Sequence, residues 1–295
     1  MRYEGVVYRP PSEAGSLIIQ ATLACPHNKC AFCSMYKGRK FRVRPIEEII
    51  EDLDIALAVY GPDRVQTIFL ADGNSAVLPT EKLATIGEAA RARFPRLRRI
   101  TVYGSAKFLV KKTGEEWRRV AAAGISRIHS GLESGDAATL QAINKGVTPE
   151  QAIEAYRHVM SAGIELSVYL MVGVAGAERW REHALGSARV LNAAPPTFVR
   201  LRTFVPQPDT PWHDRWRAGD LTLLSAHQAL QETRLLVEHL EGPTTLLSDH
   251  VSNFLDVRGR IPHDKPAMLA EIDEALQWPL RSFRPPTELL VGLGL

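Results

Sequence analysis

Short apolar runs alternate with longer amphipathic stretches from about residue 16 to residue 206 of this chain. The apolar runs are rich in Val, Ile, Leu, Phe and Tyr, a composition typical of buried β-strands. The pattern therefore predicts six strands, which are Leu17–Ala24, Gln66–Ala71, Arg99–Gly104, Arg127–Leu132, Glu165–Gly173 and Phe198–Val205.

The stretches between the predicted strands carry the signals of helices. Pro45–Tyr60 places its large apolar side chains on one stripe, and Pro79 opens a further helix. Thr113 and Thr148 are each followed three residues later by Glu or Gln, which predicts capping boxes. Glycine occupies the positions expected for helix C-caps, namely Gly61, Gly124 and Gly163.

A βα unit that repeats six times predicts an α/β fold in which helices cover the outside of a parallel sheet. Right-handed crossovers curl such a sheet in one direction. Because a closed barrel of this type needs eight units, six units predict a partial (β/α)6 TIM-like barrel that is open on one side. A doubly wound sheet is an alternative that the periodicity leaves open.

The chain is predicted to have three parts. Residues 1–15 form an N-terminal extension, residues 16–211 form the barrel domain, and residues 212–295 form an α-rich C-terminal extension packed on it. A run of prolines from Pro206 to Pro211 marks the boundary. The extension is predicted to contain a helix around Leu221–Leu240, a short apolar run at Thr244–Leu247 and a helix from Pro266 to about Gln277.

The composition is that of an ordinary globular protein, since 45% of the 295 residues are hydrophobic and 23% are charged. A net charge of +3, from 36 basic and 33 acidic residues, is too balanced for a dedicated nucleic-acid coat. No apolar run approaches the ~20 residues that span a bilayer, and the N-terminus lacks the apolar core of a signal peptide. We therefore expect a soluble, cytoplasmic protein that has no membrane partner.

Three cysteines lie within nine residues and form a C-x4-C-x2-C motif, Cys25, Cys30 and Cys33, directly after the first strand. An odd, clustered set of cysteines does not form a disulfide framework. A zinc site needs four ligands, and His27 lies inside the loop, where it closes a tetrahedron only under strain. A redox C-x-x-C pair leaves Cys25 unused. Three thiolates on a [4Fe–4S] cluster leave one iron open, and the spacing alone leaves all three interpretations possible.

The cysteine motif resembles the cluster loop of the radical S-adenosylmethionine (SAM) superfamily, in which the usual spacing is C-x3-C-x2-C with an aromatic residue before the last Cys. Phe32 matches that aromatic residue, whereas x4 in place of x3 is a departure. The segment from Cys25 to Lys37 also resembles a subgroup of uncharacterised proteins with the same x4 spacing.

Two further segments match the superfamily in the expected order. Leu70–Ser75, which follows the second strand, is similar to the glycine-rich turn that meets the SAM amino group. It lacks the usual Glu, so Asp72, Gly73 and Asn74 are the candidates. The run from Gly131 to Gly146 resembles the G-L-E-S-G…N-K-G segment of elongator-like and methylthiotransferase-like members, which makes Glu133 and Ser134 candidates for binding SAM.

The resemblance implies an oxygen-sensitive enzyme that binds a [4Fe–4S] cluster through the three cysteines and binds SAM at the open iron. One electron, from a reductant protein of the flavodoxin or ferredoxin type, cleaves SAM to a 5′-deoxyadenosyl radical, which abstracts hydrogen from the substrate or adds to it. No other Cys exists to hold a second cluster. We also expect no cobalamin-binding or acetyltransferase domain, so a small organic substrate is favoured. The alternatives are an RNA-modifying enzyme of this superfamily or a non-catalytic nucleic-acid-binding protein stabilised by zinc or a cluster.

Strand alternation predicts which polar side chains share the interior face of the barrel. His129 and Tyr169 are candidates for contacting the substrate, although an interior histidine and core packing are their alternative roles. Arg200 and Arg202 are candidates for binding the cofactor, in which a guanidinium suits a carboxylate, or for structural Arg–Glu pairs. His250 lies in a polar loop that either closes over the substrate or is held by Asx turns.

Two clusters of basic residues lie within residues 37–44 and residues 91–99. Such clusters can bind RNA phosphates. The near-neutral charge of the whole chain favours solvated basic faces instead.

Overall fold

The computed structural model describes residues 1–284 of the chain, so residues 285–295 of the predicted C-terminal extension lie outside the described part. All six predicted strands are present, and the first is divided in two. The strands are β1 (Leu17–Gln20), β2 (Thr22–Leu23), β3 (Arg42–Val43), β4 (Thr67–Ala71), β5 (Arg99–Tyr103), β6 (Ile125–Glu133), β7 (Glu165–Val172), β8 (Phe198–Thr203), β9 (Thr244–Leu247) and β10 (Arg258–Ile261).

Eight of these strands form a sheet in the order β1-β4-β5-β6-β7-β8-β9-β10, and β2 pairs with β3 in a separate antiparallel ribbon. The pairings of β1 with β4, β4 with β5, and β5 with β6 are parallel, as are those of β7 with β8 and β8 with β9. At the end of this sheet, β10 pairs antiparallel with β9. The predicted α/β class and its parallel sheet are confirmed, and the C-terminal segment adds two strands to that sheet besides its helices.

The helices follow the predicted positions closely. They are α1 (Ile46–Tyr60), α2 (Thr80–Arg93), α3 (Ala106–Leu109), α4 (Gly114–Ala122), α5 (Ala137–Ala142), α6 (Pro149–Ser161), α7 (Trp180–Ala193), α8 (Pro211–Ala218), α9 (Ala226–His239) and α10 (Lys265–Ala275). Among the described residues, no helix combines the length and the apolar character that crossing a bilayer requires.

Local hydrogen bonds explain where several helices begin. Both predicted capping boxes form, because Thr113 exchanges hydrogen bonds with Glu116, and Thr148 does so with Gln151. Gly61, Gly124 and Gly163 take positive φ angles, as predicted for helix ends.

Two helices of the C-terminal part differ from the prediction. Helix α9 begins at Ala226 rather than near Leu221, because Ser225 and Gln228 form a capping box. Helix α8 was not predicted, since its prolines indicate a break. Pro211 is instead the first helical residue, and the Thr210 side chain accepts a hydrogen bond from the backbone of His213.

The chain divides into two compact units, each with its own buried apolar core. The first unit contains Met1–Asn28, Gly38–Ser130 and Ala155–Leu166, and the second contains Lys29–Lys37, Gly131–Glu154 and the chain from Ser167 onward. Phe69 and Trp117 are fully buried in the first unit, as Val168 and Leu201 are in the second. The predicted division at residues 15 and 211 stays a prediction.

Candidate functional site

The three cysteines form no disulfide among the described residues, and each is partly exposed. Cys25 belongs to the first unit, whereas Cys30 and Cys33 belong to the second, where the Cys33 amide donates to the Cys30 carbonyl at 3.4 Å. Within residues 1–284, no group of three or more His, Cys, Asp or Glu side chains is arranged to hold a metal ion. The thiolate donor set suits an iron–sulfur cluster, and metal binding commonly orders its own ligands, so cluster binding is expected to reposition these thiols.

His27, the alternative ligand within the loop, contacts a lysine of the first unit. The Lys107 ammonium lies 2.9 Å from His27 Nδ1. Because an ammonium can only donate, Nδ1 acts as the acceptor and is occupied by this contact. In a neutral imidazole whose Nδ1 accepts, the ring proton lies on Nε2, so this contact disfavours His27 as the fourth ligand of a zinc site.

Asp72 connects the turn after β4 to the chain directly before Cys25, within the first unit. Its carboxylate is buried, and Oδ2 accepts a hydrogen bond from the Ala24 amide at 3.2 Å. The Asp72 amide in turn donates to Thr22 Oγ1 at 3.4 Å. The turn thus fixes the backbone at Ala24, which has a positive φ angle of 61° and immediately precedes the first cysteine.

Asn74 lies in the same turn, separated from Asp72 only by Gly73. Its side chain is 0% exposed, and neither Oδ1 nor Nδ2 has a hydrogen-bond partner among the described residues. A buried polar group left unpaired costs about 1–3 kcal/mol. An amide that offers a free acceptor and a free donor in a buried turn fits a polar ligand, and the SAM ammonium predicted to bind there can use the acceptor.

Glu133 ends β6 in the second unit, with a positive φ angle of 67° that is uncommon for residues other than glycine. Its Oε1 atom accepts a hydrogen bond from Lys145 Nζ at 3.0 Å. The same ammonium lies 5.6 Å from the centre of the Phe32 ring. Gly131 leaves room for this arrangement, because a Cβ atom there overlaps the Glu133 carboxylate. Two predicted site residues, Phe32 and Glu133, are therefore joined through Lys145.

Ser134 is fully buried and supports the local turn. Its Oγ atom accepts a hydrogen bond from the Asp136 amide at 3.0 Å, and the Asp136 carboxylate caps α5 through the Thr139 amide at 2.9 Å. The next amide, that of Gly135, donates to Ser187 Oγ at 2.9 Å. The Ser134 hydroxyl proton remains a donor for a ligand.

A buried histidine that the sequence did not single out lies beside Glu133. His183 Nε2 is 3.0 Å from the Glu133 carbonyl oxygen, and Nδ1 is 2.8 Å from Glu232 Oε1. Both ring nitrogens thus face oxygen acceptors, which matches an imidazolium paired with a carboxylate. Burial alone lowers the pKa of His183, but the charge and hydrogen bond of Glu232 outweigh it and raise the pKa above its usual value. Nothing in the amphipathic pattern of α7 indicates this pairing.

The predicted side chains of β7, β8 and the following polar loop come together in the second unit. Tyr169 and Arg200 are register partners on adjacent strands, and the Arg202 guanidinium lies 5.1 Å from the centre of the Tyr169 ring. Arg200 Nη1 is 3.7 Å from an Asp249 oxygen. Burial, followed by the charge of Arg202, lowers the pKa of His250 to about 4.

The loop that carries His250 is held on the end of β8 by Asn253. The Thr203 amide and hydroxyl donate to Asn253 Oδ1 at 2.7 and 3.0 Å, and Asn253 Nδ2 donates to the Leu201 carbonyl at 2.9 Å. These side-chain contacts with the strand backbone fix the loop along β8.

His129 is buried in the first unit beside Glu13. Its Nε2 atom lies 3.3 Å from Glu13 Oε1, which also accepts a hydrogen bond from Thr101 at 3.1 Å. Burial alone raises the pKa of Glu13, but hydrogen bonds from His129 and Ser16 and the charge of Arg99 lower it to about 2. A role for His129 in contacting substrate stays a prediction, and its observed partner supports the alternative role of an interior histidine.

Much of the charge in the two basic clusters is matched within the first unit. Arg44 is 1% exposed, and its Nη1 atom lies 2.7 Å from the buried Asp52 carboxylate. Carboxylates also pair with Arg42, Arg93, Arg96 and Arg99. These pairs reduce the positive charge that either cluster can offer to nucleic-acid phosphates.

The model of the Radical SAM superfamily matches residues 19–185 of the chain. Over 169 residues, the chain is 28% identical to 4′-phospho-dehydrooxetanocin synthase of Priestia megaterium, covering 52% of this chain and 23% of that protein. Over 196 residues, it is 24% identical to an uncharacterized methyltransferase of Pyrococcus horikoshii, covering 65% and 40%. The chain therefore spans less than half the length of either relative.

Solved structures share the fold at low sequence identity. Methylornithine synthase superposes with a TM-score of 0.53 at 15% identity, covering 87% of this chain and 68% of that one. A cobalamin-dependent SAM radical enzyme, solved with aqua-cobalamin and SAM bound, gives 0.58 at 19% identity, with coverages of 74% and 40%. Coproporphyrinogen III oxidase of Escherichia coli gives 0.58 at 16% identity, with coverages of 76% and 52%.

Proposed function

The chain belongs to the radical SAM superfamily, and from this premise we propose that it is a radical SAM enzyme acting on a small organic substrate. Members of the superfamily bind a [4Fe–4S] cluster and SAM. When bound and reduced, the cluster supplies the electron that cleaves SAM to a 5′-deoxyadenosyl radical, which abstracts hydrogen from the substrate or adds to it. A flavodoxin or ferredoxin type of reductant protein is the proposed electron donor.

Cys25, Cys30 and Cys33 are the proposed iron ligands. Three thiolates satisfy three corners of the cluster and leave one iron open, which is the condition for a ligand to bind at the metal. The chain offers no other Cys as a fourth ligand. The three thiols are partly exposed and are not consumed in a disulfide among residues 1–284, which supports this assignment.

The observation that carries the proposal is the unpaired, fully buried amide of Asn74. In the superfamily, the equivalent turn meets the SAM amino group, and Asn74 Oδ1 is an acceptor without a donor. Asp72 supports the turn by holding the Ala24 amide, one residue before Cys25. We therefore assign Asn74 to the SAM ammonium and Asp72 to positioning the turn and the first cysteine.

Glu133 and Ser134 are the proposed contacts for the ribose or ammonium of SAM in the second unit. Lys145 engages Glu133 Oε1, which leaves Oε2 able to accept a hydrogen bond from the ligand. The Phe32 ring lies beside the Lys145 ammonium and is the proposed apolar contact for SAM.

Arginines of both basic clusters form ion pairs with carboxylates of the protein, and this favours a small organic substrate over RNA. Buried Arg44 and the paired Arg93 and Arg99 are not available as a phosphate-binding surface. RNA binding predicts tRNA retention that weakens with salt, whereas a small-molecule enzyme predicts none.

Anaerobic reconstitution with iron and sulfide, followed by dithionite and SAM, tests the proposal. We expect a brown protein with about four irons per chain that releases 5′-deoxyadenosine. Cys30→Ala is expected to abolish the release of 5′-deoxyadenosine, and Asn74→Ala is expected to weaken SAM binding. Ser34→Ala, beside the cysteine loop, is the control and is expected to behave as wild type. A colourless protein with one zinc per chain, or full release by Cys30→Ala, overturns the proposal.

A further inference from the structure

Arg202 is a partly buried cation that lacks an anionic partner in the second unit. Along β8, Val199 and Leu201 are fully buried, so Arg200 and Arg202 occupy the opposite face of the strand. The Arg202 guanidinium contacts the face of the Tyr169 ring, and no carboxylate of residues 1–284 forms an ion pair with it. Removing a cation from water without a counterion is costly, so this position favours an anionic ligand.

Arg200 adds positive charge on the same face. Its only carboxylate partner in the described part of the chain is Asp249, at 3.7 Å and with a side chain that is 38% exposed. The Nε atom of Arg200 is buried and makes no hydrogen bond there. Arg200 thus has one loosely placed carboxylate and Arg202 has none among the described residues, so a net positive charge remains on this face.

His250 contributes a neutral donor rather than a further charge. The Ser252 amide donates to His250 Nδ1 at 3.2 Å, so Nδ1 is an acceptor and the ring proton lies on Nε2. Burial and the charge of Arg202 lower the pKa of His250 to about 4, while Asp249 opposes that shift. At neutral pH the Nε2–H group is therefore a donor near the Arg202 charge.

We propose that Arg202, with Arg200 and His250, binds an oxyanion carried by the substrate, either a carboxylate or a phosphate. Guanidinium groups bind both anions through paired hydrogen bonds, which matches their geometry. The ring of Tyr169 fixes the Arg202 plane, and Asn253 holds the loop of His250 against β8. This inference rests on the proposed function, because the oxyanion belongs to the substrate of the proposed radical SAM enzyme.

The carboxylate of SAM is the other oxyanion available to these residues. The superfamily model matches residues 19–185, whereas Arg200, Arg202, Asp249 and His250 all lie beyond it. Cofactor binding is common to the superfamily and belongs to the shared segment. Residues outside that segment are where recognition specific to one substrate is expected.

Calorimetric titration of the reconstituted, SAM-loaded protein with inorganic phosphate and with malonate, at constant ionic strength, tests the inference. We expect wild type to bind at least one probe and Arg202→Met to weaken that binding about tenfold or more, with the Kd for SAM unchanged within about twofold. The tighter probe identifies the class of anion. Arg202→Lys is expected to restore part of the affinity. Arg189→Met removes an exposed cation from the same unit and is expected to behave as wild type.

Three results overturn the inference: wild type binds neither probe, Arg202→Met binds them as wild type does, or Arg202→Met weakens SAM instead. Circular dichroism melting of each variant identifies a variant that fails to fold, in which case Arg202→Lys and His250→Ala provide the comparison. If wild type releases no 5′-deoxyadenosine but phosphate binding still depends on Arg202, the proposed function fails while the anion site stands.

Discussion

The Nδ1 atom of His183 lies 2.8 Å from Glu232 Oε1, and both side chains are almost fully buried. The same Glu232 oxygen accepts a hydrogen bond from the Gly173 amide at 3.0 Å, while His183 Nε2 faces the Glu133 carbonyl. The pair therefore joins the ends of β6 and β7 through side chains of α7 and α9. Because Glu133 has a positive φ angle, this contact stabilises an uncommon backbone conformation at a proposed SAM-binding residue.

Replacing His183 by Leu is expected to destabilise the protein by about 3–5 kcal/mol, because Glu232 is left as a buried, unpaired charge. Urea unfolding measures the change in the free energy of unfolding. His227→Leu is the matched control, since that half-buried histidine contacts the Trp278 carbonyl and the Phe283 ring and forms no ion pair with a carboxylate of residues 1–284. If both variants change the free energy of unfolding by the same small amount, His183 does not stabilise the fold through Glu232.

The His183–Glu232 pair also predicts a pH dependence. The pKa of His183 is raised above its usual 6.5, so the stabilisation from its charge is complete below pH 6.5 and is lost as the pH rises through the higher value. The difference in unfolding free energy between wild type and His183→Leu is therefore expected to shrink at alkaline pH. A difference that stays constant or grows with pH is inconsistent with an imidazolium at this position.

For Glu13 we expect protein stability to depend on pH in the opposite direction. Its pKa is lowered from 4.5 to about 2, so its stabilisation is complete above pH 4.5 and is lost as the pH falls through about 2. Glu13→Gln is expected to remove about 3 kcal/mol at neutral pH and to flatten the acid limb of the stability profile. Glu154→Gln, at an exposed position, serves as the control. An unchanged acid limb in Glu13→Gln argues against this carboxylate network.

Gly131→Ala is expected to weaken SAM binding, because the added Cβ overlaps the Glu133 carboxylate that Lys145 holds. The displaced carboxylate loses its position toward the ligand, so we expect the Kd for SAM to rise roughly fivefold or more, which corresponds to about 1 kcal/mol. Equilibrium dialysis of SAM against the reconstituted protein measures it. Gly15→Ala is the control, since a Cβ there meets nothing within 4 Å. Equal affinities in both variants refute the role of Gly131.

The sequence predicted the repeating elements well, because buried strands and capped helices depend on local patterns. Thr244–Leu247 was found as an apolar run and is β9, yet its pairing with β8 depends on contacts distant in sequence. Strand alternation correctly placed Tyr169, Arg200 and Arg202 together. Unpredicted β10, Arg258–Ile261, has a polar sequence without the usual apolar pattern.

Local sequence patterns do not predict contacts between helices. His183 and Glu232 are 49 positions apart, and each lies on a helix whose pattern indicates only burial. The role of Glu13 was also missed, because a lone carboxylate before the first strand carries no local signal. By contrast, the motif of residues 70–75 identified Asn74 as a candidate for binding SAM. Its side-chain amide is buried without a hydrogen-bond partner among the described residues, which is consistent with that assignment.

We propose that three cysteine thiolates hold a [4Fe–4S] cluster whose open iron binds SAM. Mössbauer spectroscopy of protein reconstituted with ⁵⁷Fe, recorded with and without SAM, tests it most directly. We expect a cluster spectrum in which about a quarter of the iron absorption shifts when SAM is added, since one iron of four lacks a protein ligand. A spectrum that SAM leaves unchanged, or a protein that assembles no cluster, contradicts the account.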